Sequence, residues 1–245
     1  MDDAIAPKLL AELIGTFAFV FIGAGAAAII GDGVGLPGII AIAFAHGLTI
    51  MVFAFIYGPV SGGHMNPAVT LGVLAAGAMR AGEAAGYILS QLAGGIFGAL
   101  LLRVVLGGTA TGLGTPALAH GLALGATSLT ITPAAGFVVE MVLGFFLVLV
   151  VLGAAVEGRA GNLAPLAIGM TLTLNIIMGG ALTGAAFNPA RALGPMIATG
   201  NLGNAWLYVT APIVGALIAA MVHASFVRLA RTSQAVHAAA SSPAE

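Results

Sequence analysis

Two tripeptides of identical type stand 122 residues apart: Asn66-Pro67-Ala68 within "SGGHMNPAVT" and Asn188-Pro189-Ala190 within "TGAAFNPARA". Asn is a strong N-cap residue because its side-chain oxygen accepts a first-turn N–H that has no intrahelical partner. Pro suits the next position, where its fixed φ and missing donor cost nothing. Each tripeptide therefore predicts a helix start whose cap uses the amide oxygen and leaves the NH₂ free to donate outward. Asp would cap as well but would bring a negative charge and no donor. Helix N-termini carry roughly +0.5 of an elementary charge, so two of them facing each other would repel a cation and orient a small neutral molecule by its lone pair. Gly62-Gly63-His64-Met65 and Gly184-Ala185-Ala186-Phe187 precede the two Asn residues. Their irregular backbone would leave carbonyls without helical partners, giving a donor centre flanked by acceptors.

The elements that must hold these groups are set by an apolar chain. Of 245 residues, 60% are hydrophobic and 6% charged, against about 25% charged in soluble domains. That composition excludes a soluble globule. Runs long enough to cross a hydrocarbon core, which takes about 20 helical residues, lie near 8–30, 38–58, 84–107, 134–156, 163–181 and 205–228. Two shorter apolar pieces, near 66–77 and 188–198, begin at the Asn-Pro pairs. The chain has no cysteine, and its net charge of −1 gives nucleic acid no purchase. The N-terminal run lacks the features of a cleaved signal and is expected to be a retained span.

"AELIGTFAFVFIGAGA" from Ala11 resembles "VEMVLGFFLVLVVLGAA" from Val139, with Glu12 and Glu140 in matching places. Three spans per half is an odd number, so the second half should enter the membrane from the opposite side, as an inverted repeat. The fold expected is all-α: six transmembrane helices and two re-entrant half-helices that meet near the midplane in one domain, 1–232. The repeats cover about 8–107 and 134–230, and a disordered cytoplasmic tail spans 233–245. Broken helix at that depth is tolerated only where it is buried or lines water. With a cytoplasmic N-terminus, Lys8, Arg80, Arg159, Arg228 and Arg231 fall on the cytoplasmic side, and so does the C-terminus. Arg103 would snorkel to the outer interface. Gly86, Ser90, Gly94 and Gly98 in the third span, and Ala211, Gly215 and Ala219 in the sixth, recur every fourth residue and predict close helix packing. Ser90 beside Gln91 reads as part of that packing.

"SGGHMNPAVTLG", "FNPARALGP", the paired Glu12 and Glu140, and "GYILSQLAGG" resemble the aquaporins, the major intrinsic protein family, over nearly the whole chain. The resemblance implies a right-handed bundle assembled as a homotetramer in the cell membrane, one pore per subunit, conducting water and excluding protons and ions. It implies no cofactor and no metal. It also implies a four-residue selectivity filter, which falls on His46, Ile176, Ala185 and Arg191. That set is similar to the tonoplast branch, which passes water together with ammonia, urea, glycerol or peroxide. Ala192 stands where the family's glycerol facilitators carry Asp, whereas Val209 stands where its water channels carry Trp. A glycerol facilitator is the alternative reading within the family.

Intramembrane carboxylates often mark ion relays, so Glu12 and Glu140 also admit an ion-coupled secondary transporter. The resemblance implies instead that they brace the chain before each half-helix. No catalytic cluster appears within the spans, and an enzyme is not expected. His64 is read as bracing its own loop, and His120 as a solvated loop residue.

Overall fold

The computed structural model describes residues 5–31 and 35–241. Helix α1 (Ile5–Ala18) passes through a π-helical turn (Phe19–Ala24) into α2 (Gly25–Ile30), and α3 (Gly35–Ser61) follows. Next come the short α4 (Pro67–Ala75), the long α5 (Ala81–Val105), and α6 (Pro133–Val150) with a second π-helical turn, Val151–Val156. Helices α7 (Ala164–Thr183), α8 (Pro189–Thr199) and α9 (Ala205–Ser241) complete the order. A small antiparallel hairpin, β1 (Leu122–Leu124) and β2 (Thr127–Leu129), lies between α5 and α6, with Leu122 opposite Leu129.

Among the described residues, six helical stretches are long and apolar enough to cross a membrane: Ile5–Ile30, Pro37–Ser61, Ala81–Val105, Pro133–Val156, Gly161–Thr183 and Ala205–Leu229. The chain is thus an all-α, multi-pass membrane protein. Leu89, Val104, Leu174 and Met221 project from three of these helices as exposed apolar side chains, a surface stable only against lipid or another apolar face.

Lipid supplies no hydrophobic force between helices, so the bundle depends on close van der Waals approach at small residues. Gly94 and Gly98 on α5 rest on the backbone of α1 at Leu13 and Phe17, where a Cβ on either would strike a carbonyl oxygen. Gly215 on α9 rests in the same way on the backbone of α6 at Met141. The fourth-residue spacing read in both spans is therefore a packing face. Gly47 on α3 and Gly169 on α7 face each other, and a Cβ on either would lie 2.6 Å from the other's carbonyl oxygen. Gly194 seats α8 against Gly95, as Gly72 seats α4 against Val148 and Ala216.

One expectation changes. Helix α9 continues to Ser241, so most of the predicted disordered tail is helical; "SQAVHAAAS" is rich in Ala, the strongest helix former. Residues 242–245 and the side chain of Arg231 lie outside the described residues. Arg103, exposed near the end of α5, donates from Nη1 to the carbonyl of Ala198 at 3.2 Å. It places a cation at the C-terminal end of α8, where the helix dipole favours one.

Candidate functional site

Asn66 and Asn188 cap α4 and α8 in extended backbone. Asn66 Oδ1 accepts from the Ala68 N–H at 2.9 Å. Asn188 Oδ1 accepts from Ala190 at 3.0 Å and Arg191 at 3.2 Å. Pro67 and Pro189 occupy the first helical turns. The two caps also hold each other: Asn66 Nδ2 donates to the Phe187 carbonyl at 3.0 Å, and Asn188 Nδ2 donates to the Met65 carbonyl at 2.9 Å. Sequence reasoning left both NH₂ groups free. One N–H of each is in fact committed across the junction, so each amide keeps a single proton to offer.

The chain before each Asn is bent by left-handed residues. Gly62, Gly63 and Gly184 take φ of 87°, 61° and 79°, and Met65, Ala185 and Phe187 take 48°, 41° and 27°. For non-glycine residues such backbone costs on the order of 1–3 kcal/mol each and persists only when its surroundings over-determine it. The buried carboxylates do so. Glu12, fully buried, accepts from Ser61 Oγ at 2.7 Å, His64 N at 2.9 Å, Met65 N at 2.6 Å and Gln91 Nε2 at 2.7 Å. Glu140, equally buried, accepts from Thr183 Oγ1 at 2.6 Å, Ala186 N at 3.0 Å and Phe187 N.

The match between halves extends to residues that the sequence reading did not single out. Tyr87 O–H donates to the Ser61 carbonyl at 2.8 Å, and Tyr208 O–H to the Thr183 carbonyl at 2.7 Å. Gly63 N and Ala185 N each donate at 3.1 Å to the hydroxyl two residues earlier, Ser61 and Thr183. The 121-residue interval between Tyr87 and Tyr208 was the available signal. Gln91 corrects the packing reading: besides Glu12, its Nε2 reaches Thr70 Oγ1 at 2.9 Å. Thr70 Oγ1 in turn lies 3.1 Å from His64 Nδ1, and the His64 ring stands edge-on to Tyr87. Among the described residues, this polar support has no counterpart around Glu140.

Among the described residues, no protein donor is bonded to the carbonyls of Gly62, Gly63, His64, Gly184, Ala185 or Ala186. Those of Met65 and Phe187 each spend a lone pair on the opposing Asn. A cavity of about 780 Å³ opens at the face bearing Lys8 and Glu83, whose 3.0 Å ion pair lines it with Ser61, His64 and Asn162. A neck of about 20 Å³ shares Gly62 and His64 with it and reaches both Asn66 and Asn188. One water needs only about 10–15 Å³ of such space.

The remaining candidates come from four segments. His46 (α3) and Ile176 (α7) are buried, as are Ala185, ahead of Asn188, and Arg191 on the first turn of α8. His46 Nδ1 lies 2.9 Å from the Ile42 carbonyl. A carbonyl only accepts, so Nδ1 carries the proton and Nε2 of the neutral ring is an acceptor. Arg191 Nη1 donates to the Gly114 carbonyl at 3.0 Å. Nε2 of His46 and Nε of Arg191 are both buried without a protein partner, a cost of about 1–3 kcal/mol per group that a bound polar molecule would offset. Gly114 itself has φ 67° and sits on the Ala24 backbone; it was not singled out in the sequence. His120 is exposed. Among the described residues, no group of three or more His, Cys, Asp or Glu is placed to hold a metal ion.

Known proteins are similar to this chain over most of their length. Aquaporin NIP1-2 of Oryza sativa subsp. japonica is 38% identical over 219 residues, covering 88% of this chain and 70% of that protein. Aquaporin TIP1-2 of Zea mays is 38% identical over 226 residues, covering 89% and 85%. Among solved structures, the aquaglyceroporin from Plasmodium falciparum has a similar fold, with a TM-score of 0.73 at 23% identity over 89% of this chain and 95% of that one. The profile described as major intrinsic protein matches residues 3–223, and the chain belongs to that family.

Proposed function

We propose that the chain is a passive channel for water and small neutral solutes that excludes protons and ions. The observation that carries this reading is the neck beside both capping amides. There each Asn offers its remaining proton next to unpartnered carbonyls, and two helix N-termini carry partial positive charge. A water molecule donates to the carbonyls and accepts from the amides. A hydrated cation meets repulsion and loses its shell.

In this reading α4 and α8 are half-helices of an inverted repeat. The recurrence of the Glu, hydroxyl, Tyr and Asn contacts at intervals of 121–128 residues supports that symmetry. The domain covers 1–232. Lys8, Arg80, Arg159 and Arg228 mark the cytoplasmic face by the positive-inside rule, with both termini on that side of a cell membrane. The family resemblance adds a homotetramer. His46, Ile176, Ala185 and Arg191 form the filter, with an acceptor at His46 Nε2 and donors at Arg191, a pair suited to permeants that both donate and accept. Relatives named for both the NIP and the TIP groups match equally well, so the tonoplast-like solute range rests on these four residues alone.

Swelling of proteoliposomes in stopped flow, with water, glycerol, urea and ammonia run in parallel, tests the proposal. Flux above protein-free vesicles that follows the osmotic or solute gradient supports it. Permeability equal to that of bare lipid for all four would refute it.

A further inference from the structure

The His46 ring sits in a recess that only a glycine can make. Gly23 lies in the π-helical turn of the first span, buried with Phe19, Val20 and Ala24. A methyl carbon built on it would lie 2.5 Å from Cδ2 of His46 and 2.8 Å from Cγ and Nε2. Carbon atoms in contact sit at about 3.5–4.0 Å, so the missing Cβ lets the imidazole lie about 1 Å closer to the backbone of this turn than any other residue would permit. Phe19, four residues earlier, closes another side of the recess, its ring edge-on to the imidazole with centroids 5.4 Å apart. The hydrogen bond from Nδ1 to Ile42 ties the ring to its own helix.

From this packing, the geometry points to Gly23 as a specificity-determining residue: its lack of a side chain holds His46 back from the passage and so sets the aperture at the filter. Gly23 touches no permeant in this arrangement and acts only through His46, as a positioning residue. The inference rests on the reading of His46 as lining the conduit. A methyl group on Gly23 must displace the ring. Phe19 and the tie to Ile42 oppose two directions, and with His46 read as lining the conduit, motion away from Gly23 carries the ring toward the lumen. Solute cut-off in a pore depends on diameter at the sub-ångström level, so a shift of this size acts on size selection before it acts on folding. Ala also forms helix more readily than Gly, so the substitution does not weaken the span by propensity.

The test uses the full chain in proteoliposomes and four forms: native, Gly23→Ala, His46→Ala and the double variant. The readout is the flux of the largest molecule, among water, ammonia, urea and glycerol, that the native chain passes. Gly23→Ala is expected to lower that flux about tenfold and to lower smaller permeants less, as a narrowed constriction does. In the His46→Ala background no ring remains to be pushed, and adding Gly23→Ala is expected to change the flux less than about twofold, by the logic of a double-mutant cycle. Equal losses in both backgrounds, or equal loss of every permeant, would assign Gly23 a purely structural role and overturn the inference. So would no effect of Gly23→Ala on a conducting channel. A native chain that passes none of the four molecules would instead refute the channel reading beneath it.

Discussion

Asn188 donates its side-chain N–H to the carbonyl of Met65, the residue directly before Asn66, at 2.9 Å, and Asn66 returns the bond to Phe187 at 3.0 Å. The two helix starts are thereby locked to one another through groups that also border the narrow neck. This reciprocal pair ties local capping chemistry to the proposed exclusion of cations, because the amides that cap also mark the two helix N-termini whose partial positive charge borders the neck.

Replacing Asn188 by Asp keeps the oxygen that caps α8 and removes the donor to Met65. The variant is expected to fold and insert, because its cap survives, but a carboxylate now faces the partial charge that repels cations. Proton influx into vesicles carrying a pH-sensitive dye should rise above the native level while water flux falls. A proton barrier unchanged by Asn188→Asp would separate cation exclusion from this position.

Glu140→Gln tests bracing against ion coupling. Gln keeps one acceptor oxygen and puts an NH₂ in place of the other, so it cannot accept from both Ala186 N, which bonds Oε1, and Phe187 N, which bonds Oε2, at a cost of about 1.5–3 kcal/mol for each charged hydrogen bond lost. The melting temperature in detergent is expected to fall. In the native protein, neither a pH gradient nor a sodium gradient should drive flux. Solute uptake that responds to either gradient would revive the transporter reading.

The Asn-Pro-Ala starts and the pairing of Glu12 with Glu140 were legible because capping is local chemistry and the repeat shows itself in the sequence. The six spans were legible for a similar reason: an apolar run of that length has few other fates. What escaped was set by tertiary approach. Tyr87 and Tyr208 reach carbonyls 25 or 26 residues away, and Gln91 crosses to Glu12 and Thr70. Neither π-helical turn has a signature in the residue pattern, because both Phe19–Ala24 and Val151–Val156 are apolar throughout. The four positions proposed as the filter come from resemblance, and the hold of Gly114 on Arg191 was not foreseen, since a carbonyl acceptor carries no residue identity.

Arg191→Ala removes the buried guanidinium and frees the Gly114 carbonyl. Glycerol and urea flux are expected to rise relative to water, and cation leak with them, measured in the same vesicles. Gly114→Ala should move selectivity in the same direction without touching the charge, because a Cβ there collides with the Ala24 backbone and shifts the carbonyl that orients Arg191.

His46→Phe replaces an acceptor with a larger apolar ring. Solute flux is expected to fall before water flux does. Equal loss of both would place the narrowest point elsewhere, for instance at the neck between Asn66 and Asn188.

The most direct measurement is the water and proton permeability of the native chain, taken together on one preparation of proteoliposomes at graded protein content. Water flux is expected to scale with protein, with a temperature dependence near that of free water, while proton flux stays at the level of empty vesicles. Water flux no faster than through lipid, or proton flux that climbs with protein content, would contradict a passage bounded by the two capping amides.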